Sequence, residues 1–356
     1  MKKLLLFSAL LLMEISCSKE NFDKKEDQTS KGVAELKSAI KTPNLDSIAR
    51  MNAGAFLESI LTAREIDSLS KMRTTESSKS SASIASEGPE YTDWSGLIHL
   101  KYWYETTAEG HTPSLSVSVG ADYVLVGGGA YTSNINCFIT KSMPDAMLTA
   151  WIAKSKDHIT SILHTLTVFA IGMKIDGVTP DYLRSKMQRF FAVSDKINHP
   201  TAAYTVPGNY LLVGGGAWDY YEDDGGYGNM LVSSHPSSST WYVEGKDHRR
   251  ADPSKIYAYA IGIENISFPN VGYIQVGYTA EYASTNGGVC FAEASMPTGW
   301  ALTCCGGWVH YNTYGRMITI MNPNSNALSV FLVSSDHTYQ DSGWQYAFAL
   351  RVQKAQ

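Results

Sequence analysis

Three stretches of this chain can be laid over one another, and that internal repeat limits what it can fold into more than any other feature. Residues 122 to 131 read Asp-Tyr-Val-Leu-Val-Gly-Gly-Gly-Ala-Tyr, residues 209 to 218 read Asn-Tyr-Leu-Leu-Val-Gly-Gly-Gly-Ala-Trp, and residues 299 to 308 read Gly-Trp-Ala-Leu-Thr-Cys-Cys-Gly-Gly-Trp. The copies lie 87 and then 90 residues apart. Short strands then close on Pro144, Pro236 and Pro323, and others open on Trp151, Trp241 and Val330. These run into Lys156-Asp157-His158, Lys246-Asp247-His248 and Ser335-Asp336-His337, spaced by 90 and 89 residues. A last strand gives Phe169 to Gly172, Tyr259 to Gly262 and Phe348 to Arg351, and the leaders Ile98 to Thr106, Met187 to Asp195 and Ile274 to Tyr282 are each strand-like. Chance does not give near-equal spacing at several separate landmarks. The reading is three copies of about 90 residues, at about 95–176, 177–264 and 265–354.

The copies are rich in Tyr, Val, Ile, Thr and Phe, alternate frequently, and hold no long stretch of helical period, so the expected class is all-β. Three glycines in one strand weaken it unless a bulge or a close backbone approach needs them. In the third copy Cys304 and Cys305 replace two of them, while Gly129, Gly216 and Gly306 remain. That third position is therefore the one expected to exclude a Cβ everywhere, with three backbones converging on a pseudo-threefold axis. Closure of this kind also hides sheet edges. The succession of glycine strand, Pro-ended strand, Trp strand and Ala-Ile strand resembles the Greek-key units of β-prism proteins such as the vitelline membrane outer layer protein family, which implies a threefold β-prism-like body. The alternative is three small β-domains in tandem.

Ahead of the copies, Lys2 and Lys3, the apolar run Leu4 to Met13, and the small residues Ser16 and Cys17 have the layout of an export signal, so residues 1–16 are set apart as a signal peptide. The Ser16-Cys17 junction resembles a bacterial lipoprotein cleavage site, although Glu14 stands where such signals usually carry Leu. The resemblance implies that Cys17 becomes the lipidated first residue of an outer-membrane lipoprotein. The charged tract after it is similar to those that send such lipoproteins to the cell surface. Of the 71 residues from 18 to 88, 22 are charged and only Phe22 and Phe56 are aromatic, which is the composition of a tether. Short helices are expected around 45 to 72, and Thr74 to Ser86 reads as a Ser-rich linker. Residues 17–88 are thus a tether and 89–356 the packed domain. No apolar run is long enough to span a bilayer as a helix. A formal net charge of -5 excludes the basic surplus that phosphate backbones require, so nucleic acid is not an expected partner.

The repeated Asp-His pair invites a catalytic reading, because a carboxylate can orient an imidazole base. Adjacent residues on a strand point to opposite faces, however, and three equal copies suit a fold that closes the same turn three times. Asp157, Asp247 and Asp336 are read first as turn-closing carboxylates with His158, His248 and His337 bonded to main chain beside them. A thrice-repeated ligand contact is the second reading, and no metal or cofactor is assigned. The loop from Asp219 to Tyr227 is unique to the second copy, and its Tyr220, Tyr221, Glu222, Asp223 and Asp224 combine rings with carboxylates, as a sugar site does. Trp151 and Trp241, matched by Val330, are read as core.

Cys290 and Cys305 flank the turn at Pro297-Thr298-Gly299 almost evenly, so a cross-strand disulfide is expected to be geometrically feasible between them. Cys137 is read as a buried small hydrophobe. The chain holds no HExxH, GxSxG, P-loop, Rossmann or CxxC motif. The function expected is that of a surface-anchored, extracellular binding protein for glycan. A structural or adhesive envelope lipoprotein with protein partners is the alternative, and an extracellular hydrolase using Glu222, Asp223 and Asp224 comes third.

Overall fold

The computed structural model describes residues 85–220, 229–249, 251–313 and 315–356. The signal, Cys17, the charged tract and the helices expected around 45 to 72 lie outside the described residues. The described part is an all-β body of three sheets.

Each third of the body contributes six strands in the same order. The first has β3 (Ile98–Thr106), β4 (Ser114–Ser118), β5 (Val124–Thr132), β6 (Cys137–Pro144), β7 (Ala150–Asp157) and β8 (Leu166–Ile175), preceded by the short β1 (Ser86–Glu87) and β2 (Tyr91–Thr92). The second opens with a one-turn helix α1 (Pro180–Ser185). It continues with β9 (Met187–Val193), β10 (Thr201–Thr205), β11 (Tyr210–Tyr220), β12 (Met230–Ser237), β13 (Thr240–Lys246) and β14 (Lys255–Glu264). The third has β15 (Ile274–Thr285), β16 (Val289–Ser295), β17 (Ala301–Tyr311), β18 (Arg316–Pro323), β19 (Ser329–Asp336) and β20 (Gly343–Lys354).

No third forms a sheet by itself. The sheets run β3-β8-β5-β18-β19-β16, β9-β14-β11-β6-β7-β4 and β15-β20-β17-β12-β13-β10, with β1 and β2 added on β3. Each sheet therefore joins three strands of one third to three strands of another. The seams are Ala130 opposite Met321, Ala217 opposite Ser142, and Gly307 opposite Ser234. Tandem independent domains are excluded by these pairings, because removing any third would open two sheets.

The register slips at the same places in each third. One irregularity lies between Leu125 and Gly127, between Leu212 and Gly214, and between Leu302 and Cys304. A second lies between Ile139 and Lys141, Leu231 and Ser233, and Ile318 and Ile320. Bulges bend and twist a strand, which lets each glycine strand turn into the shared centre.

That centre lies at the first glycine position rather than the third. A Cβ on Gly127 would collide with the Thr303 carbonyl, and one on Gly214 with the Val126 carbonyl, while Cys304 supplies the single side chain that fits between the strands. The Cys304 thiol lies 3.4 Å from the Gly215 carbonyl oxygen. At the third position the strand across the seam excludes a Cβ at Gly129, through Met321 O, and at Gly216, through Ser142 O, whereas at Gly306 the nearest atoms, Pro236 Cδ at 3.1 Å and Phe348 Cβ and Ser234 O at 3.2 Å, leave a Cβ tight rather than excluded. At the second position the indoles of Trp151 and Trp241 press on Gly128 and Gly215. Both indoles are fully buried, as a core reading requires, and donate from Nε1 to Ser142 and Ser234 at 3.0 and 3.1 Å. The third copy changes all three partners together, with Val330, Cys305 and Met321 in place of Trp, Gly and Ser.

Candidate functional site

The three Asp-His pairs sit where β7, β13 and β19 end, and the two side chains of each pair do different work. Each carboxylate closes a loop on a main-chain N–H five residues ahead: Ile162 N donates to Asp157 at 2.8 Å, Asp252 N to Asp247 at 3.2 Å, and Asp341 N to Asp336 at 2.9 Å. Each also meets a basic group. His111 Nδ1 lies 2.7 Å from Asp157, His199 pairs with Asp247, and the fully buried Arg316 lies 3.2 Å from Asp336. Burial raises the Asp336 carboxyl and lowers the Arg316 guanidinium, both opposed by their mutual attraction.

The imidazoles turn the other way and meet. Ring centroids of His158, His248 and His337 are 5.3 Å apart in every pair, with planes tilted by 78°, 55° and 68°. One ring nitrogen from each lies within 4.8 Å of the other two. All three are buried, with 5%, 2% and 4% of their surface exposed. Desolvation pushes His158 down to about 3 and His337 down to about 4, so both are neutral at ordinary pH; the neighbouring Lys156 and Arg249 act in the same direction. Phe138 of β6 packs edge-on against His337 at 5.6 Å, and with Met230, Val232 and Met317 it makes an apolar cluster from β6, β12 and β18.

What aims the imidazoles is a backbone turn. Ile159, Arg249 and Thr338, each the residue after a histidine, have φ of 63°, 64° and 74°. Left-handed backbone is strained for β-branched residues such as Ile and Thr, yet it recurs at all three places. The sequence reading treated the pairs along the chain, and only the exchange of strands between thirds brings residues 90 and 89 apart into contact.

Of the second-copy loop, Asp219 and Tyr220 are described, while Tyr221, Glu222, Asp223 and Asp224 lie outside the described residues. Asp219 is no surface carboxylate. It is wholly buried, accepts from the Ser254 hydroxyl, and burial raises it to about 7. Tyr220 stands edge-on to Trp218 at 4.9 Å. Lys156 is also buried, which lowers it to about 8 against the pull of Asp219 and Asp252. Lys246 donates to the Thr313 carbonyl at 3.1 Å and sits 3.8 Å from the centre of the Tyr311 ring.

The expected Cys290–Cys305 bridge is not formed. Cys137, Cys290, Cys304 and Cys305 are all free, buried thiols. The connection through Pro297 is no hairpin: β16 pairs with β19, whereas β17 pairs with β20 and β12, so the two cysteines belong to different sheets.

A feature the sequence reading missed lies on the outer face of the third sheet. Tyr242, His235, Trp308, Tyr346 and Tyr282 come from five successive strands, β13, β12, β17, β20 and β15. Successive ring centroids are 5.8, 5.4, 6.2 and 5.3 Å apart, so the rings form one unbroken row across the sheet. At about 4.8 Å per strand the row spans roughly 19 Å. Trp344, stacked on His310 at 4.6 Å, and Phe348, stacked on His235 at 5.0 Å, widen it. Tyr242 and Tyr282 are 43% and 55% exposed, which leaves both ends of the row open to solvent. The row itself contains no carboxylate, Lys or Arg, and burial lowers His235 to about 4, which keeps it neutral. On the second sheet, by contrast, Lys141 lies 3.9 Å from the centre of the Trp218 ring and Arg189 5.0 Å from that of Tyr259. The signal in the sequence was the alternation of Trp344, Tyr346 and Phe348 with Gln345 and Ala347; which face it marked depended on packing.

No family model matches the chain, and no curated protein matches it.

Proposed function

We propose that this is a lipid-anchored, surface-displayed protein that binds an uncharged glycan chain on the aromatic face of its third sheet. The observation that carries this reading is the row from Tyr242 to Tyr282. Aromatic rings offer flat apolar surface to the C–H faces of a sugar ring, while tyrosine hydroxyls and imidazole nitrogens at their rims supply the hydrogen bonds that an aliphatic patch lacks. A neutral row favours neutral saccharides, since the row itself holds no Lys or Arg to meet a carboxylate or sulfate. Its width suits several sugar units in line. The layout of the first 17 residues and the charged tether support display at the outer membrane, with Cys17 as the anchor.

The test is a glycan array followed by isothermal titration with the best neutral oligosaccharide. Trp308→Ala and Tyr346→Ala should each weaken binding by about tenfold, the equivalent of about 1.4 kcal/mol. Absence of saccharide binding at millimolar concentration removes the glycan reading. Retention of a protein from envelope extracts by the same face would then favour the adhesive one.

A further inference from the structure

We propose that His158, His248 and His337 form a binding site for one divalent transition-metal ion of the Zn²⁺ class, with one imidazole supplied by each third of the body. The site is separate from the aromatic face and does not depend on it.

The ligand set is right in number and kind. Three imidazoles with a fourth position left for water or a small anion is an established way to hold Zn²⁺, and it suits Co²⁺, Ni²⁺ and Cu²⁺ but not Mg²⁺ or Ca²⁺, which take oxygen. The geometry is close to what is needed. Zn–N bonds of about 2.0–2.1 Å in a tetrahedral site put nitrogens roughly 3.3–3.4 Å apart. The three nitrogens here already lie within 4.8 Å of one another. Each has to move inward by less than about 1 Å, within the reach of a small ring rotation.

All three imidazoles are taken out of water at one point, with Phe138 edge-on against His337, and a bound ion would replace the hydration they lose there. The Nε2 of His158 faces the His248 carbonyl oxygen at 3.3 Å, a contact that ties two of the three ligand residues to each other. The left-handed turns at Ile159, Arg249 and Thr338 give a second and independent indication, because each strained residue redirects the chain directly after a ligand. Lys156 and Arg249 place positive charge nearby, which disfavours a charged imidazole there.

The experiment uses the purified chain stripped with a chelator and dialysed. Titration with Zn²⁺, read by calorimetry and by metal analysis after gel filtration, should give one ion per chain, and the thermal midpoint should rise with added Zn²⁺. Co²⁺ should give the visible absorption of a four-coordinate ion. His248→Gln and His337→Gln should each weaken Zn²⁺ binding by roughly 100-fold or more while keeping the β circular-dichroism signature. Wild-type protein that takes up no ion in molar excess, or Co²⁺ that keeps its six-coordinate aqueous spectrum, overturns the proposal. So does undiminished binding in folded variants. If a variant fails to fold, the wild-type Co²⁺ spectrum decides by itself. Saccharide binding on the third sheet should be the same with and without metal, so failure of one reading is distinguishable from failure of the other.

Discussion

Asp219 shows how far a residue's neighbourhood can reverse its usual role. The sequence placed it at the head of an acidic, aromatic loop, yet it is buried, raised to about 7 and bonded to Ser254. Its folded value lies above that of an unfolded aspartate, about 3.9. Between about pH 4 and pH 7 the native state therefore holds a proton that the unfolded chain has released, and stability falls as pH rises through that window, by about 1.4 kcal/mol per unit for one proton. Below the window both states are protonated, and above it both are ionised. Asp219→Asn keeps an acceptor for Ser254 and should remove that slope, as read from urea midpoints taken at several pH values. An unchanged slope would show that Asp219 is not the group responsible. Gly245 is glycine for a related reason, because a Cβ there would run into the Asp219 carboxylate.

At the scale of elements, the packing of β7 on β5 depends on an indole lying on a glycine, and β13 on β11 repeats it. In the third copy Val330 and Cys305 trade volume in the opposite direction. Putting a large ring into a filled core costs about 1–3 kcal/mol, which is the loss expected for Val330→Trp by itself. Adding Cys305→Gly should recover at least half of that loss, a coupling that guanidinium unfolding of the four chains of a double-mutant cycle would measure. Additive losses would mean that the two positions do not share space. Much at this scale was legible in the sequence: the glycine strands, the strands ending on Pro144, Pro236 and Pro323, and the leaders are where their patterns put them. The edge strands β4 and β10 were not legible. Ser114–Ser118 alternates Leu115 and Val117 with serines but is only five residues long, and Thr201–Thr205 has weak alternation, so little separates either from a loop. The cross-strand cysteine pairing failed for a similar reason, since a turn-like sequence does not say whether the chain returns to its own sheet or leaves for the next.

For the described body as a whole, the exchange of strands sets how it unfolds. β5 borrows β18, β11 borrows β6 and β17 borrows β12, so each third leaves two open sheet edges when taken alone. Unpaired strands with one exposed apolar face do not hold together in water. A fragment of residues 85–176 should accordingly show no near-ultraviolet dichroism and no cooperative melt, whereas the described body within the full chain should unfold in a single transition. A fragment that melts cooperatively would mean that one third is a domain. Pairings that join residues about 190 apart, such as Tyr131 with Ile320, also make slow folding the expectation.

The sequence by itself determined the β class and the positions of the main strands, because alternation and strand-forming residues are local properties. It also marked the three Asp-His pairs. It did not determine that the three histidines meet, that five rings line up across one sheet, or that Cys290 and Cys305 stay apart. Those depend on which strands pair across the thirds and which face of each strand is turned outward. Pairing and facing are decided by burial of the whole core at once, and no stretch of ten residues carries that information.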